Sequence, residues 1–292
     1  MLQRLAPHWG GDWWFLTYLG WARIEVGEVA PGIAEVERAL AANPRNAYAA
    51  HARAHGCYEA GDAAGGAAFI AGWLPSYDRR SQLYGHLSWH RALFELAAGN
   101  SGEARALYEA EIRPGASHAP PLFALADAAS FLWRWQVYRE TPPIEDAWPE
   151  VLSHARRYFP VAGLPFADLH AVLAEAASGD DPAVAERVAQ LRAILGAGRL
   201  PQGRSAPLLC AGVAAFARGE YALAAELLEP ALAELPRVGG SHAQRDLFED
   251  TFIAAALRAG RYDSATSRLG TRLARPRSAQ DPRWLAGAAP GG

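Results

Sequence analysis

The stretch Ser205-Ala-Pro-Leu-Leu-Cys-Ala-Gly212-Val-Ala-Ala-Phe-Ala-Arg-Gly219-Glu-Tyr-Ala-Leu-Ala224-Ala-Glu-Leu-Leu228-Glu-Pro-Ala231-Leu-Ala-Glu-Leu-Pro236 reads as two short helices around one glycine. Apolar residues recur every three or four positions on both sides of Gly219, and no strand-like alternation interrupts them. Gly219 supplies the turn, and Pro236 ends the second run because its ring blocks a further helical turn. With the turn glycine set at position 15, Gly212, Ala224, Leu228, Ala231 and Pro236 fall at positions 8, 20, 24, 27 and 32. Small residues at 8 and 20 allow two helices to approach closely. A period of about 34 residues built this way marks stacked helical hairpins.

Outward from this unit the same template recurs. Leu19, Gly20, Ala39 and Pro44 occupy its positions 7, 8, 27 and 32. Gly99 is flanked by Ala92, Ala104 and Tyr108, and Gly260 is followed by Ala265 and Leu269; Gly61 fits with fewer matches. Between about residues 115 and 200 the template fades, although Asp127 to Tyr138 and Phe166 to Ser178 remain helix-like. Gly179 is a further turn glycine, and Pro182 sits in the first turn of the helix after it. These are tetratricopeptide-type units. The expectation is an all-α, right-handed solenoid with a concave polar groove, continuous over residues 1–275, and a frayed tail over 276–292, where Pro and Gly accumulate.

Composition narrows the chemistry. All 28 basic residues are arginine, so phosphate loops of the Gly-Lys-Ser/Thr type, Schiff-base lysines and Ser-x-x-Lys pairs are excluded. A net charge of −3 without a basic block gives no footprint for nucleic acid. Cys57 and Cys210 lie in apolar helical contexts, which argues against a disulfide framework. The longest apolar runs, such as Leu208 to Ala217, are half the roughly 20 residues that span a bilayer, and the first residues lack the apolar core of a signal peptide. A soluble, cytoplasmic protein is expected.

The nine histidines are not scattered. His51/His55 and His86/His90 are spaced four apart, so each pair projects two imidazoles from one helix face. In the glycine register His51 and His55 take positions 5 and 9, His86 position 2, and His90 and His170 position 6. First helices line the concave side of such arrays, so His51, His55, His86 and His90 are expected to share one concavity. Three readings of them stand side by side: hydrogen-bonded structural histidines, a metal site such as zinc with near-tetrahedral ligands, and acid–base groups titrating near neutrality. No His-Glu-x-x-His, Cys-x-x-Cys or calcium loop is present.

Two other polar clusters join them. Asp127, Ser130 and Arg134 lie on one helical stripe, and Ser241-His242-Ala-Gln244-Arg245-Asp246-Leu-Phe-Glu249 precedes an apolar run. Ser241 also suits a helix cap, with Arg245 and Glu249 pairing four apart. The Trp13/Trp14 and Trp133/Trp135 clusters suit core packing more than ligand stacking.

Five of these segments, in this order, resemble the tetratricopeptide-repeat protein 38 family. They are His51-Ala-Arg-Ala-His55, His86-Leu-Ser-Trp89-His90-Arg-Ala-Leu, Asp127-Ala-Ala-Ser130-Phe-Leu-Trp133-Arg134, Asp168-Leu-His170 and Ser241 to Glu249. The resemblance runs from about residue 40 to 275. It departs at Tyr58, where the family carries Glu, at Asp62, where it carries a basic residue, and in a longer N-terminal helical region typical of members. It implies a helical solenoid with a histidine-lined interior and specifies no reaction.

The functional expectation is a concave pocket for a small polar or anionic molecule, hydrolysed by acid–base or metal-assisted chemistry. His51, His55, His86, His90, His170 and His242 would move protons or hold a divalent metal. Asp127 and Asp168 would orient imidazoles. Arg134 and Arg245 would face one cavity and hold an anion, with Ser130, Trp89, Tyr58 and Glu249 beside the substrate. His90 is expected to be the most sensitive position. The alternative is a scaffold that binds a peptide in the groove. No nucleophile is identifiable, and oligomeric state is not legible.

Overall fold

The computed structural model describes residues 2–140, 142–144, 146–201, 203–273 and 280–288. Among them every regular element is helical. After a short helix α1 (Ala6–Trp9), the chain forms helix pairs joined by short turns. They are α2 (Trp13–Glu25) with α3 (Val29–Ala42), α4 (Ala47–Ala60) with α5 (Ala63–Trp73), and α6 (Tyr84–Ala98) with α7 (Ser101–Leu107). Then come α8 (Pro121–Tyr138) with α9 (Ala147–Tyr158), and α10 (Pro165–Ala177) with α11 (Asp181–Gly196). Last are α12 (Ser205–Ala217) with α13 (Tyr221–Leu232), α14 (His242–Arg258) with α15 (Tyr262–Leu273), and the single α16 (Gln280–Ala288). The two helices of each pair pack on each other. The pairing continues unbroken through residues 115–200, where the sequence template fades. There the helices are α8 to α11; their hairpins pack through Leu125, Val151, Leu173 and Leu191, and the expected glycine turn at Gly179, with φ of 69°, joins α10 to α11.

The first helices form the inner layer, stacked in chain order from α2 through α14. Within the stack α6, α8 and α14 bury residues on every face, as helices packed on two sides must, whereas α2 at its end buries only Leu16, Thr17, Leu19, Gly20 and Ile24. Second helices are one-sided; α9 buries only Ala147, Val151, Leu152 and Ala155. Close approach explains the small residues. A Cβ at Gly20 would lie 2.7 Å from the Gly32 carbonyl oxygen, and one at Gly32 would lie 2.7 Å from that of Gly20, so α2 and α3 touch backbone to backbone.

The inner layer also closes on itself. α14 packs on α8, which is not its chain neighbour in the stack. Tyr58 on α4 donates to Asp246 on α14 at 2.8 Å, and Glu59 meets His242 Nδ1 at 2.9 Å. The inner helices therefore meet across the space where an open groove was expected, and a cavity remains at the α2–α4–α6 end.

The C-terminal expectation also changes. Residues 280–288 form α16, which packs on α14 and α15, with Trp284 buried edge-on to Tyr138. Residues 276–279 and 289–292 lie outside those described. No described helix is long and apolar enough to cross a membrane.

Candidate metal centre

α4 and α6 are adjacent inner helices, and each presents one i,i+4 histidine pair toward the other. The N-cap of α4 is Asn46, whose side-chain oxygen accepts from Ala49 N and whose amide donates to Thr17 Oγ1 on α2 at 2.8 Å. That bond sets the height of α4 against α2. One ring nitrogen from each of His51, His55, His86 and His90 then lies within 4.8 Å of the others. All four side chains are buried, His90 completely.

The contacts among the rings carry the chemistry. His55 Nε2 is 2.9 Å and His86 Nε2 3.1 Å from His51 Nε2. Behind them, His55 Nδ1 faces Glu25 Oε1 at 3.3 Å, and His86 Nδ1 faces both Asp127 oxygens at 2.9 and 3.0 Å. A neutral imidazole carries one proton. With that proton on Nδ1 toward a carboxylate, His55 and His86 each turn a bare Nε2 lone pair inward. His51 Nε2 brings at most one proton to two such lone pairs. His90, with no hydrogen-bond partner at either nitrogen, brings no relief. Protein hydrogen bonds alone leave this centre unsatisfied, and a cation among the four nitrogens would satisfy it. Zinc–nitrogen bonds near 2.0–2.1 Å in tetrahedral geometry would place ligand nitrogens roughly 3.3 Å apart, close to the contacts present.

Electrostatics keep the donors available. Burial, reinforced by the neighbouring histidines, holds His51 and His90 well below the ordinary imidazole range, so both are neutral at pH 7. Burial raises the Asp127 carboxyl more than His86 lowers it. Burial also works to raise Glu25, but the imidazoles of His55 and His242 overcome it and hold that carboxyl below its usual range.

Aromatic packing fixes the rings. His86 is sandwiched between Trp89, at 5.2 Å and 15°, and Phe123, at 5.6 Å and 23°. Trp89 Nε1 donates to Ser130 Oγ at 3.0 Å, and Ser130 Oγ donates to the Asp127 carbonyl. Trp89 and Ser130 thus brace the His86–Asp127 pair. A cavity of about 860 Å³ opens over His51, His55 and His86, with walls that include Tyr18, Trp21, Tyr48, Leu83 and Phe123.

The remaining expected site residues lie elsewhere. Asp168 pairs with Arg187 at 2.7 Å in a buried cluster with Glu175, so it orients no imidazole. His170 sits on the Phe166 carbonyl at 2.7 Å, outside the four-histidine group, and burial lowers its pKa to about 4. Asp127 holds His86 rather than His90. Arg134 is buried, with Nη2 on the Ala243 carbonyl and Nε 3.6 Å from Asp250, and it does not line the cavity. Arg245 donates to the Gly240 carbonyl, and Glu249 pairs with Arg268 and Arg272, so the expected Arg245–Glu249 helical pair is not formed. Ser241 caps α14 in a reciprocal box with Gln244. Tyr58 and His242 join α4 to α14. The Trp133 and Trp135 rings are core.

Sequence reasoning missed Glu25. Its only local signal is Trp21-x-x-x-Glu25, four apart on α2, and its partner lies 30 residues on. No family model matches the chain.

Proposed function

We propose that this chain is a metal-dependent small-molecule protein, a right-handed array of tetratricopeptide-type hairpins related to the tetratricopeptide-repeat protein 38 family. In this reading His51, His55, His86 and His90 hold one divalent transition metal at the floor of the cavity. The observation that carries it is the convergence of four buried imidazoles, two of them backed by carboxylates. Metal-bound histidines are characteristically oriented this way, with the second ring nitrogen on a carboxylate. Four imidazoles without a thiolate suit zinc, copper, nickel or ferrous iron rather than magnesium or calcium. The seven helix pairs among the described residues support the repeat reading.

The reaction that suits the site is hydrolysis of a carbonyl compound. A metal held there would supply Lewis-acid polarisation of the carbonyl, which it would take as a ligand beyond the four imidazoles. Glu25 lines the cavity with one oxygen on His55 and its side chain 27% exposed, so it can take a proton from water there. The water oxygen adds to the carbonyl carbon, the C–N or C–O bond breaks, and the proton held by Glu25 passes to the departing amine or alcohol. Asp127 keeps His86 in the Nδ1–H tautomer throughout.

Reconstitution of metal-stripped protein with Co²⁺, followed by visible absorption and by turnover of aryl esters and amides, tests this reading. Nitrogen-coordinated cobalt bands are expected for the wild type and for Glu25→Gln, with turnover lost in Glu25→Gln and both signals lost in His51→Asn. A wild type without cobalt bands would overturn the metal centre. Full turnover in Glu25→Gln would overturn the role of Glu25.

A further inference from the structure

We infer that the cavity over the four histidines takes an uncharged, hydrophobic molecule of drug-like size that meets the metal through one neutral group, an amide or ester carbonyl. The head-group part of this inference rests on the metal-centre reading; the hydrophobic part rests on the walls. This occupant differs from the polar or anionic molecule that the sequence suggests.

Three observations lead to it. First, the walls are aromatic and aliphatic: Tyr18, Trp21, Tyr48, Leu83 and Phe123 surround the space above the imidazoles. A volume of about 860 Å³ lies in the range of sites that enclose most of a drug-sized ligand. Second, no arginine is among the described lining residues, and the one charged side chain there is Glu25. The two arginines expected to bind an anion are engaged elsewhere, Arg134 by Ala243 and Asp250 and Arg245 by Gly240. Third, the side chains that stand directly behind His55 and His86 are carboxyl groups, Glu25 and Asp127, and among the described residues no guanidinium is placed there. An anion in this space would lose its hydration among apolar rings without a cationic side chain to replace it.

The polar atoms that remain on the rim are neutral. Gln82 donates to the Tyr48 hydroxyl at 2.9 Å, and Ser241 and Gln244 are occupied by the cap of α14. They offer hydrogen bonds to a neutral head group and no charge pairing.

The test is calorimetric titration of the full chain, metal-loaded and metal-stripped, with three probes: N-methyl-2-naphthamide, 2-naphthoate and N-methylacetamide. The metal content of each sample is measured alongside. In the metal-stripped form the naphthamide should bind at least ~10-fold more tightly than the naphthoate, because desolvating a carboxylate without a counter-charge is costly, and the acetamide should show no measurable binding. Metal loading should tighten the naphthamide. Tyr48→Ser, at a half-buried wall position, should weaken the naphthamide ~10-fold with metal content unchanged. Tyr18→Arg, at a rim position 36% exposed, should shift the preference toward the naphthoate. Naphthoate binding to the metal-stripped form as tightly as naphthamide, or acetamide matching naphthamide, would overturn the inference. Failure of the metal reading shows separately, as low metal content in a protein that still prefers the naphthamide.

Discussion

His90 offers the sharpest contrast between a metal ligand and a packing residue. Both its nitrogens are buried without a hydrogen-bond partner, which costs the metal-free protein stability. His90→Leu should therefore raise the stability of metal-stripped protein by about 1–2 kcal/mol while removing high-affinity metal binding. Urea unfolding of stripped protein and a chelator competition assay read the two effects. A purely structural His90 would give a variant that is less stable and unchanged toward metal. His170 gives a pH prediction. Its folded-state pKa is lowered to about 4 by burial, opposed by its bond to the Phe166 carbonyl and aided by Arg134, whereas an unfolded histidine titrates near 6.5. Below 6.5 the unfolded chain binds the proton first, so this stabilisation is complete above about pH 6.5 and is lost as pH falls toward 4. The loss amounts to about 3 kcal/mol. His170→Gln should flatten the pH dependence of the melting temperature between pH 6.5 and 4, and an unchanged slope would remove His170 from this role. At this scale the histidine pairs were legible because four-residue spacing places rings on one helix face whatever surrounds them. The roles of Asp127 and Asp168 were not, because two similar carboxylates in helical sequence differ only in what faces them: His86 for one, Arg187 for the other. Arg187 follows Asp168 by 19 residues, on the next helix, and nothing in the spacing announces the pair.

At the scale of the helix pair, small residues carry the architecture. Gly20→Ala would push a Cβ against the Gly32 carbonyl oxygen and Val36 Cγ2, both firmly placed in α3. Overpacking of this kind should cost about 1–3 kcal/mol, measured by urea unfolding. Gly72→Ala serves as the control, since it is exposed on α5 with nothing within 4 Å of the added methyl. It should stabilise by about 0.5–1 kcal/mol. Equal effects of the two would mean that α2 and α3 are not in backbone contact. The turn glycines Gly61 and Gly99 were readable for a local reason. Both adopt the left-handed conformation that ends α4 and α6, with φ of 70° and 85°. The faded template over residues 115–200 has the opposite cause. α8 to α11 keep the hairpin by packing larger side chains, including Phe131, Trp133, Trp135, Leu173 and Leu191, which no small-residue template scores.

For the whole molecule, closure of the inner layer changes the expected unfolding. In an open repeat array each unit contacts only its neighbours, so segments can melt independently. Here α14 packs on α8 and is bonded to α4 through Tyr58–Asp246 and Glu59–His242. One cooperative transition is therefore expected, with tryptophan fluorescence and far-ultraviolet circular dichroism coinciding through a urea titration. Separate midpoints would show that the two ends unfold independently. The stack of helices could be read from local pattern, because each hairpin is specified by its own residues. Closure could not, since its bonds join positions more than 180 residues apart. The same closure leaves a cavity rather than a groove beside the histidines.

Elemental analysis of untagged protein measures directly whether the four histidines hold a metal. Wild type and a His51→Asn/His86→Asn variant would be incubated with zinc and dialysed exhaustively before metal and protein are quantified. Close to one equivalent of zinc per chain is expected in the wild type and less than ~0.1 in the variant, with the helical circular dichroism of both alike. Wild-type protein that retains no metal, or a variant that retains as much as the wild type, would contradict the metal centre.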